Sequence, residues 1–262
     1  MGEAVDPREL LELAERAARR AGDVLLERFA APDEGVRAKS TPTDLVSEAD
    51  LSAERAIREV LAERHDDAIL GEEGGGGPPG ASGLRWVVDP LDGTVNFLFG
   101  IPHWCVSVAC EDGRGALVGV VFDPLRGELF RTIRGTGARL GRESLAGPEP
   151  RELSQAMVAT GFAYDAGVRE AQARVAARLL PQVRDLRRLG SAALDLAWTA
   201  VGRFDVYYER GVQPWDVAAG ELLCAEVGLG RRVLGAGGEQ RPAGILVARE
   251  ELLEELGELV AD

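Results

Sequence analysis

Asp89-Pro90-Leu91-Asp92-Gly93-Thr94 sets two carboxylates three residues apart, with the Leu91 carbonyl between them. Carboxylate and carbonyl oxygens are the donors that hard cations such as Mg2+ take, and these three can converge on such cations. The N–H groups of Gly93, Thr94 and their neighbours follow directly, where a helix is expected to start with Asp92 as its N-cap, and that arrangement suits a phosphate group. Gly93 has no side chain to obstruct the approach. An Asp-Pro turn followed by an Asp cap would use the same residues without any chemistry, and on this stretch alone that is the commoner outcome. Trp86-Val87-Val88, just before, is an apolar β-favouring run that reads as a buried strand. Asp89 stands where this strand should end, since Pro90 denies it a further ladder donor.

The stretch resembles the first signature of the inositol monophosphatase family of metal-dependent sugar-phosphate phosphatases. Gly71-Glu72-Glu73 lies upstream and Trp215-Asp216-Val217-Ala218-Ala219-Gly220 downstream, in the family's order, and the likeness runs from Lys39 to Gly228. The resemblance implies a Mg2+-dependent phosphomonoesterase acting on inositol 1-phosphate or a related small polyol or sugar phosphate. Histidinol phosphate, fructose 1,6-bisphosphate and nucleotide phosphates are the alternative substrates within the same chemistry. A non-enzymatic binding relative is the alternative from another class.

By the same resemblance, Glu72, Asp89 and the Leu91 carbonyl hold one Mg2+, and Asp89, Asp92 and Asp216 hold a second. A third, weaker ion is implied near Glu72. Thr94, hydrogen-bonded to Asp50, orients the attacking water, so Thr94, Asp50 and Glu72 form the implied catalytic group. Asp92, Gly93 and Thr94 meet the phosphate, Ser191 and Ala192 meet the sugar, and Glu209 accepts hydrogen bonds from its hydroxyls. Lys39, Asp44 and Glu73 are possible accessories. Inhibition by Li+ and a homodimer are also implied. Val95 and Gln213-Pro214 depart from the common pattern, but neither replaces an expected ligand.

The acid set has its own physical logic. Four carboxylates gathered without cations raise one another's proton affinity. Divalent ions stabilise the ionised cluster, and two of them about 4 Å apart can clamp the attacking and leaving oxygens of an in-line phosphoryl displacement. Asp44 and Asp50 would serve equally well as helix caps, and Glu73 as a solvated charge. Lys39 is the one lysine among 30 basic residues, a compact ammonium in a chain that otherwise uses arginine.

These residues need elements to hold them. Asp6-Pro7 opens an amphipathic helix running to about Phe29, with Leu10, Ala14, Ala17, Ala21 and Leu25 on its inner face. A second helix is expected from Ser47 to Arg64, and a short strand at Ala68 to Leu70 delivers Glu72. Gly74 to Gly83, with four consecutive glycines and Pro78-Pro79, reads as a flexible loop, and no Lys or Ser/Thr follows in the spacing of a phosphate-binding loop. Cys105–Cys110, Leu117–Phe122 and Glu128–Thr132 form an antiparallel meander. From Val158 onward strands and helices alternate up to a closing helix near Glu250. The expected fold is α/β with α+β character: a layered αβαβα sandwich with an antiparallel sheet in the first half and a mixed sheet with helices in the second. The expected division is 1–150, carrying most metal ligands, and 151–262, carrying Asp216 and the substrate residues.

Composition narrows the function. At 262 residues the chain can bury a sizeable core. A net charge of −14 opposes general nucleic-acid binding, which needs a basic face. No apolar run is long enough for a membrane span, and the acidic start has no signal core, so a cytoplasmic protein without a membrane partner is expected. Cys105, Cys110 and Cys224 are odd in number and form no CxxC pair, which reads as buried reduced thiols. With only His65 and His103 there is little for a histidine zinc site, and His103 is expected to be structural.

Overall fold

The computed structural model describes residues 5–29, 37–38, 45–76 and 80–260. Helix α1 (Pro7–Arg28) starts as expected: the Asp6 carboxylate accepts the Arg8 N–H at 2.9 Å, and Pro7 occupies the first turn. A two-residue ladder, β1 (Arg37–Ala38) with β2 (Leu45–Val46), leads into α2 (Glu48–Leu61). Next come β3 (Ala68–Gly71), β4 (Arg85–Asp92) and the short helix α3 (Thr94–Leu98). The meander follows as β5 (Cys105–Asp112), β6 (Gly115–Asp123), β7 (Glu128–Ile133), β8 (Ala138–Leu140) and β9 (Glu143–Ser144). These seven strands make one sheet in sequence order from β3 to β9, antiparallel except that β3 runs parallel to β4. That parallel edge puts the ends of β3 and β4 on the same side, so Glu72 and Asp89 emerge together.

The remaining elements are β10 (Met157–Thr160), α4 (Ala166–Leu179), β11 (Asp185–Arg187), α5 (Ala192–Ala200) and β12 (Val206–Arg210). They are followed by α6 (Pro214–Glu226), β13 (Gly230–Leu234), β14 (Gly244–Ala248) and α7 (Glu250–Leu259). The second sheet has the order β11-β10-β12-β14-β13, with parallel pairs at one side and antiparallel pairs at the other. β13 was not expected from the sequence: Gly230-Arg231-Arg232 is exposed edge strand with two charges, which hides the strand pattern.

Three apolar cores separate the layers. One lies between α1/α2 and the first sheet, with Leu10, Leu25, Ile57, Trp86 and Val120. The second fills the space between the two sheets around α5 and α6, with Val87, Val121, Leu194, Leu223 and Val247. The third packs α4 and α7 onto the outside of the second sheet, with Val158, Leu179 and Leu256. The order is therefore helix, sheet, helix, sheet, helix. Side chains alternate across a strand, so Trp86 and Val88 face α1/α2 while Val87, and Asp89 after it, face the α5/α6 layer. Cys110 and Cys105 likewise fall in different cores, and all three cysteines are free and buried. Among the described residues no helix is long and apolar enough to cross a membrane.

One local expectation needs correction. β4 does not stop at Asp89 but passes through Pro90 to Asp92, with a register shift against β5 between Asp89 and Asp92. The irregularity accommodates the proline's missing N–H. The described part of the glycine-rich stretch is a loop between β3 and β4, as expected, and its backbone runs close against neighbouring residues. Gly75 bridges Gly71, and a Cβ on Gly76 or Gly80 would collide with the carbonyl oxygens of Ile69 and Asp66.

Candidate active site

Two carboxylates of the site sit at the third position of a helix. Asp50 closes a capping box on α2: its Oδ2 accepts from the Ser47 N–H at 2.9 Å and the Ser47 hydroxyl at 2.6 Å. Its Oδ1 lies 2.9 Å from the Thr94 hydroxyl, whose single proton it shares with the Leu91 carbonyl at 3.1 Å. Asp50 and Thr94 are both buried. Asp216, three residues past the Gln213 N-cap of α6, accepts the Gln213 N–H at 2.6 Å.

Asp89 is 2% exposed and accepts the Leu91 N–H at 2.9 Å, which folds the Asp89–Asp92 turn back on itself. Asp92 is not a helix cap, contrary to expectation. Gly93 holds the cap position with φ +100°, and a Cβ there would lie 3.0 Å from the His103 carbonyl oxygen, so glycine is required for both reasons. The Asp92 carboxylate turns instead toward α5: its Oδ2 accepts from the Ser191 hydroxyl and from the Ala193 N–H, each at 2.7 Å. The Ser191 hydroxyl is thus engaged by Asp92, while the expectation for this segment concerned a backbone N–H at the sugar.

Glu72, Asp89, Asp92 and Asp216 open together onto a cavity of about 460 Å3. Leu91, Gly93 and Thr94 complete that wall, and Ser191, Ala192 and Glu209 face them. The structure thus brings together every expected site residue within its described part except Asp50, which stands behind Thr94, and Glu73, which does not line the cavity. Lys39 and Asp44 lie outside the described residues.

Burial is the first cause that holds the Asp89 carboxyl well above its ordinary range, followed by Glu72, Asp92 and Asp216. Burial also lifts Asp92 to about 6 against the hydrogen bonds from Ser191 and Ala193, and lifts Asp216 with help from Asp92. Among the described residues no three Asp, Glu, His or Cys side chains stand arranged as a ready-made ligand set. One buried and three half-buried carboxylates, all hard oxygen donors, fit divalent cations of the Mg2+ type, whose charge would offset their mutual repulsion.

Glu209 lies on β12 and its Oε2 accepts the Tyr207 hydroxyl at 2.9 Å. Burial pushes it up to about 8. A Cβ on Gly161 would collide with its carboxylate, so that glycine is part of the cavity floor.

Three buried polar side chains near the site escaped the sequence reading. Asn96 donates to the carbonyls of His103 at 2.7 Å and Leu189 at 2.8 Å, joining α3 to the segment before Ser191. Glu54 is buried and accepts the N–H groups of Glu73 and Gly74, next to Glu72. The signal for it existed: an acid between Ala53 and Ile57 on the inner stripe of α2. Asp195 is 1% exposed, with its Oδ1 3.6 Å from His103 Nε2. Burial raises Asp195 well above its ordinary value, and burial followed by Arg126 lowers His103 to about 4.

A sequence model of the inositol monophosphatase family matches residues 6–260. An inositol-1-monophosphatase of Mycobacterium bovis is 48% identical over 206 residues, covering 75% of this chain and 71% of that one. A protein named Nus factor SuhB from Escherichia coli is 39% identical over 221 residues, covering 84% and 83%. Among solved structures, the extragenic suppressor protein suhB of Bartonella henselae superposes with a TM-score of 0.88 at 32% identity, covering 96% of this chain and 98% of that one. With its layered fold, its acid-lined cavity and these relatives, the chain belongs to the inositol monophosphatase family.

Proposed function

We propose that the protein is a Mg2+-dependent phosphomonoesterase for inositol 1-phosphate or a similar small polyol phosphate. The observation that carries this reading is the Thr94 hydroxyl, fixed by Asp50 at the edge of a cavity that four acids share. Glu72, Asp89, the Leu91 carbonyl, Asp92 and Asp216 would hold two cations, with a third, weaker ion near Glu72. Bound there, Mg2+ would neutralise the acids, make a water more acidic and stabilise charge on the transferring phosphoryl group.

The chain's own residues do the rest. Asp50 accepts from Thr94 and so fixes the rotamer of its hydroxyl oxygen, which can then accept a hydrogen bond from the attacking water and aim it. The backbone of Gly93 and Thr94 receives the phosphate, and the small side chain at 93 allows its approach. Glu209, on the facing wall, binds the hydroxyls of the polyol. Ser191 and Ala193 hold Asp92 in one rotamer.

Phosphate release from inositol 1-phosphate, histidinol phosphate, fructose 1,6-bisphosphate and NADP, with Mg2+ and with EDTA, tests the reading. Mg2+-dependent turnover fastest on the polyol monophosphate is expected. Turnover of none of them would overturn it. A second reading, a non-enzymatic partner role, is supported by relatives that carry the name Nus factor. The complete acid set favours the enzyme. A homodimer, a cytoplasmic setting and inhibition by Li+ belong to the same proposal, as what the family resemblance implies.

A further inference from the structure

We infer that Glu54 is the positioning residue of the Glu72 turn and thereby sets how tightly the site binds a divalent cation; this rests on the reading of Glu72 as a cation ligand. Glu54 projects from the inner face of α2, one turn after Asp50, and is 4% exposed. A carboxylate this deeply buried must be compensated by donors, and the donors it has are specific. Its Oε2 accepts the Glu73 N–H at 2.9 Å, and its Oε1 accepts the Gly74 N–H at 3.0 Å. Arg58 braces it: Nε donates to Oε1 at 2.8 Å, and the other arm of the guanidinium reaches the Gly75 carbonyl at 3.2 Å.

The glycines around Glu72 are shaped to this carboxylate. A Cβ on Gly71 would lie 2.7 Å from Glu54 Oε2, and one on Gly74 would collide with Oε1. From the other side, the Glu72 N–H donates to the Val88 carbonyl at 3.2 Å, on the strand that carries Asp89. The Glu72 backbone is therefore held between β4 and α2, the elements that present Asp89 and Asp50. Outer partners that fix a metal ligand in this way are typically worth about 10-fold to 100-fold in metal affinity.

The test is Mg2+ binding to the whole protein by titration calorimetry, in wild type, Glu54→Gln, Gly74→Ala and Glu72→Gln, with melting temperatures in EDTA. Gln keeps the size of Glu54 but turns an NH2 group toward backbone N–H or Arg58. In Glu54→Gln the Mg2+ Kd should rise about 10-fold or more, the Mg2+ needed for half-maximal turnover should rise with it, and kcat at saturating Mg2+ should fall far less. Gly74→Ala, at an exposed position, should give the same shift by displacing the carboxylate, and it carries the test if Glu54→Gln does not fold. An unchanged Kd in the folded variant, with or without a lower melting temperature, overturns the inference. If Glu72→Gln weakens Mg2+ binding and Glu54→Gln does not, only this inference fails; if Glu72→Gln binds Mg2+ like wild type, the reading of the site fails.

Discussion

Asp50 and Asp216 each satisfy a helix N-terminus and serve the cavity with the same carboxylate. Asp50 divides its two oxygens between Ser47 and Thr94, and Asp216 accepts from Gln213 while it lines the cavity. A cap fixes the side-chain rotamer within the first turn, so the structural use prepares the chemical one. For Asp50, whose cap and catalytic readings the sequence set side by side, the two are therefore not alternatives. Under the proposed reading, Glu209, which lines the cavity without serving as a cation ligand, is where recognition and chemistry divide. In Glu209→Gln, kcat/KM on inositol 1-phosphate should fall by about 1 kcal/mol, roughly fivefold, the worth of a hydrogen bond to a sugar hydroxyl. p-Nitrophenyl phosphate, which lacks those hydroxyls, should be turned over unchanged. Equal losses on both substrates would make Glu209 a support of the fold instead.

At the scale of elements, the Ala218-Ala219-Gly220 run after Asp216 is explained by packing. A Cβ on Gly119 of β6 would lie 3.1 Å from the Ala219 Cα, and one on Gly220 would lie 2.6 Å from the Leu196 Cβ on α5. Helix α6 is wedged between the first sheet and α5, and only small residues let it carry Asp216 to the cavity. Gly220→Ala should therefore cost about 1–3 kcal/mol of stability through overpacking, measured by urea unfolding; a neutral result would show that the layer has slack. The amphipathic helices and the meander were legible because their apolar periods were clean, as in α1 with Leu10, Ala14, Ala17 and Ala21 inward. The first-signature acids were legible as a motif. Asn96 was not, because one of its partners, the Leu189 carbonyl, lies far along the chain, whereas Glu54 left a signal, an acid on an apolar stripe, without showing what it holds. The course of β4 past Pro90 was hidden because a bulge can absorb a proline that sequence rules treat as a stop.

On the scale of the whole molecule, the site lies where the first sheet, the α5/α6 layer and the second sheet meet, and its surroundings carry a pH signature. His103 is buried beside Asp195, with Arg126 opposing its charge and Asp92 and Asp123 favouring it, and the balance puts it at about 4 against 6.5 unfolded. Between those values the unfolded chain binds the proton more readily, so this contribution is complete above pH 6.5 and is lost as pH falls toward 4. About 2 kcal/mol should be gone by pH 5, and His103→Gln should flatten that part of the stability profile; parallel profiles would refute the assignment. The account as a whole stands on the shared acids of the first signature. The most direct test is phosphate release from inositol 1-phosphate across a Mg2+ titration by wild type and by Asp89→Asn, with folding checked by circular dichroism. Wild type should show saturable, Mg2+-dependent turnover, and the folded variant should retain about a hundredth of it or less. A folded Asp89→Asn protein with more than about a tenth of wild-type turnover at saturating Mg2+ would contradict the account.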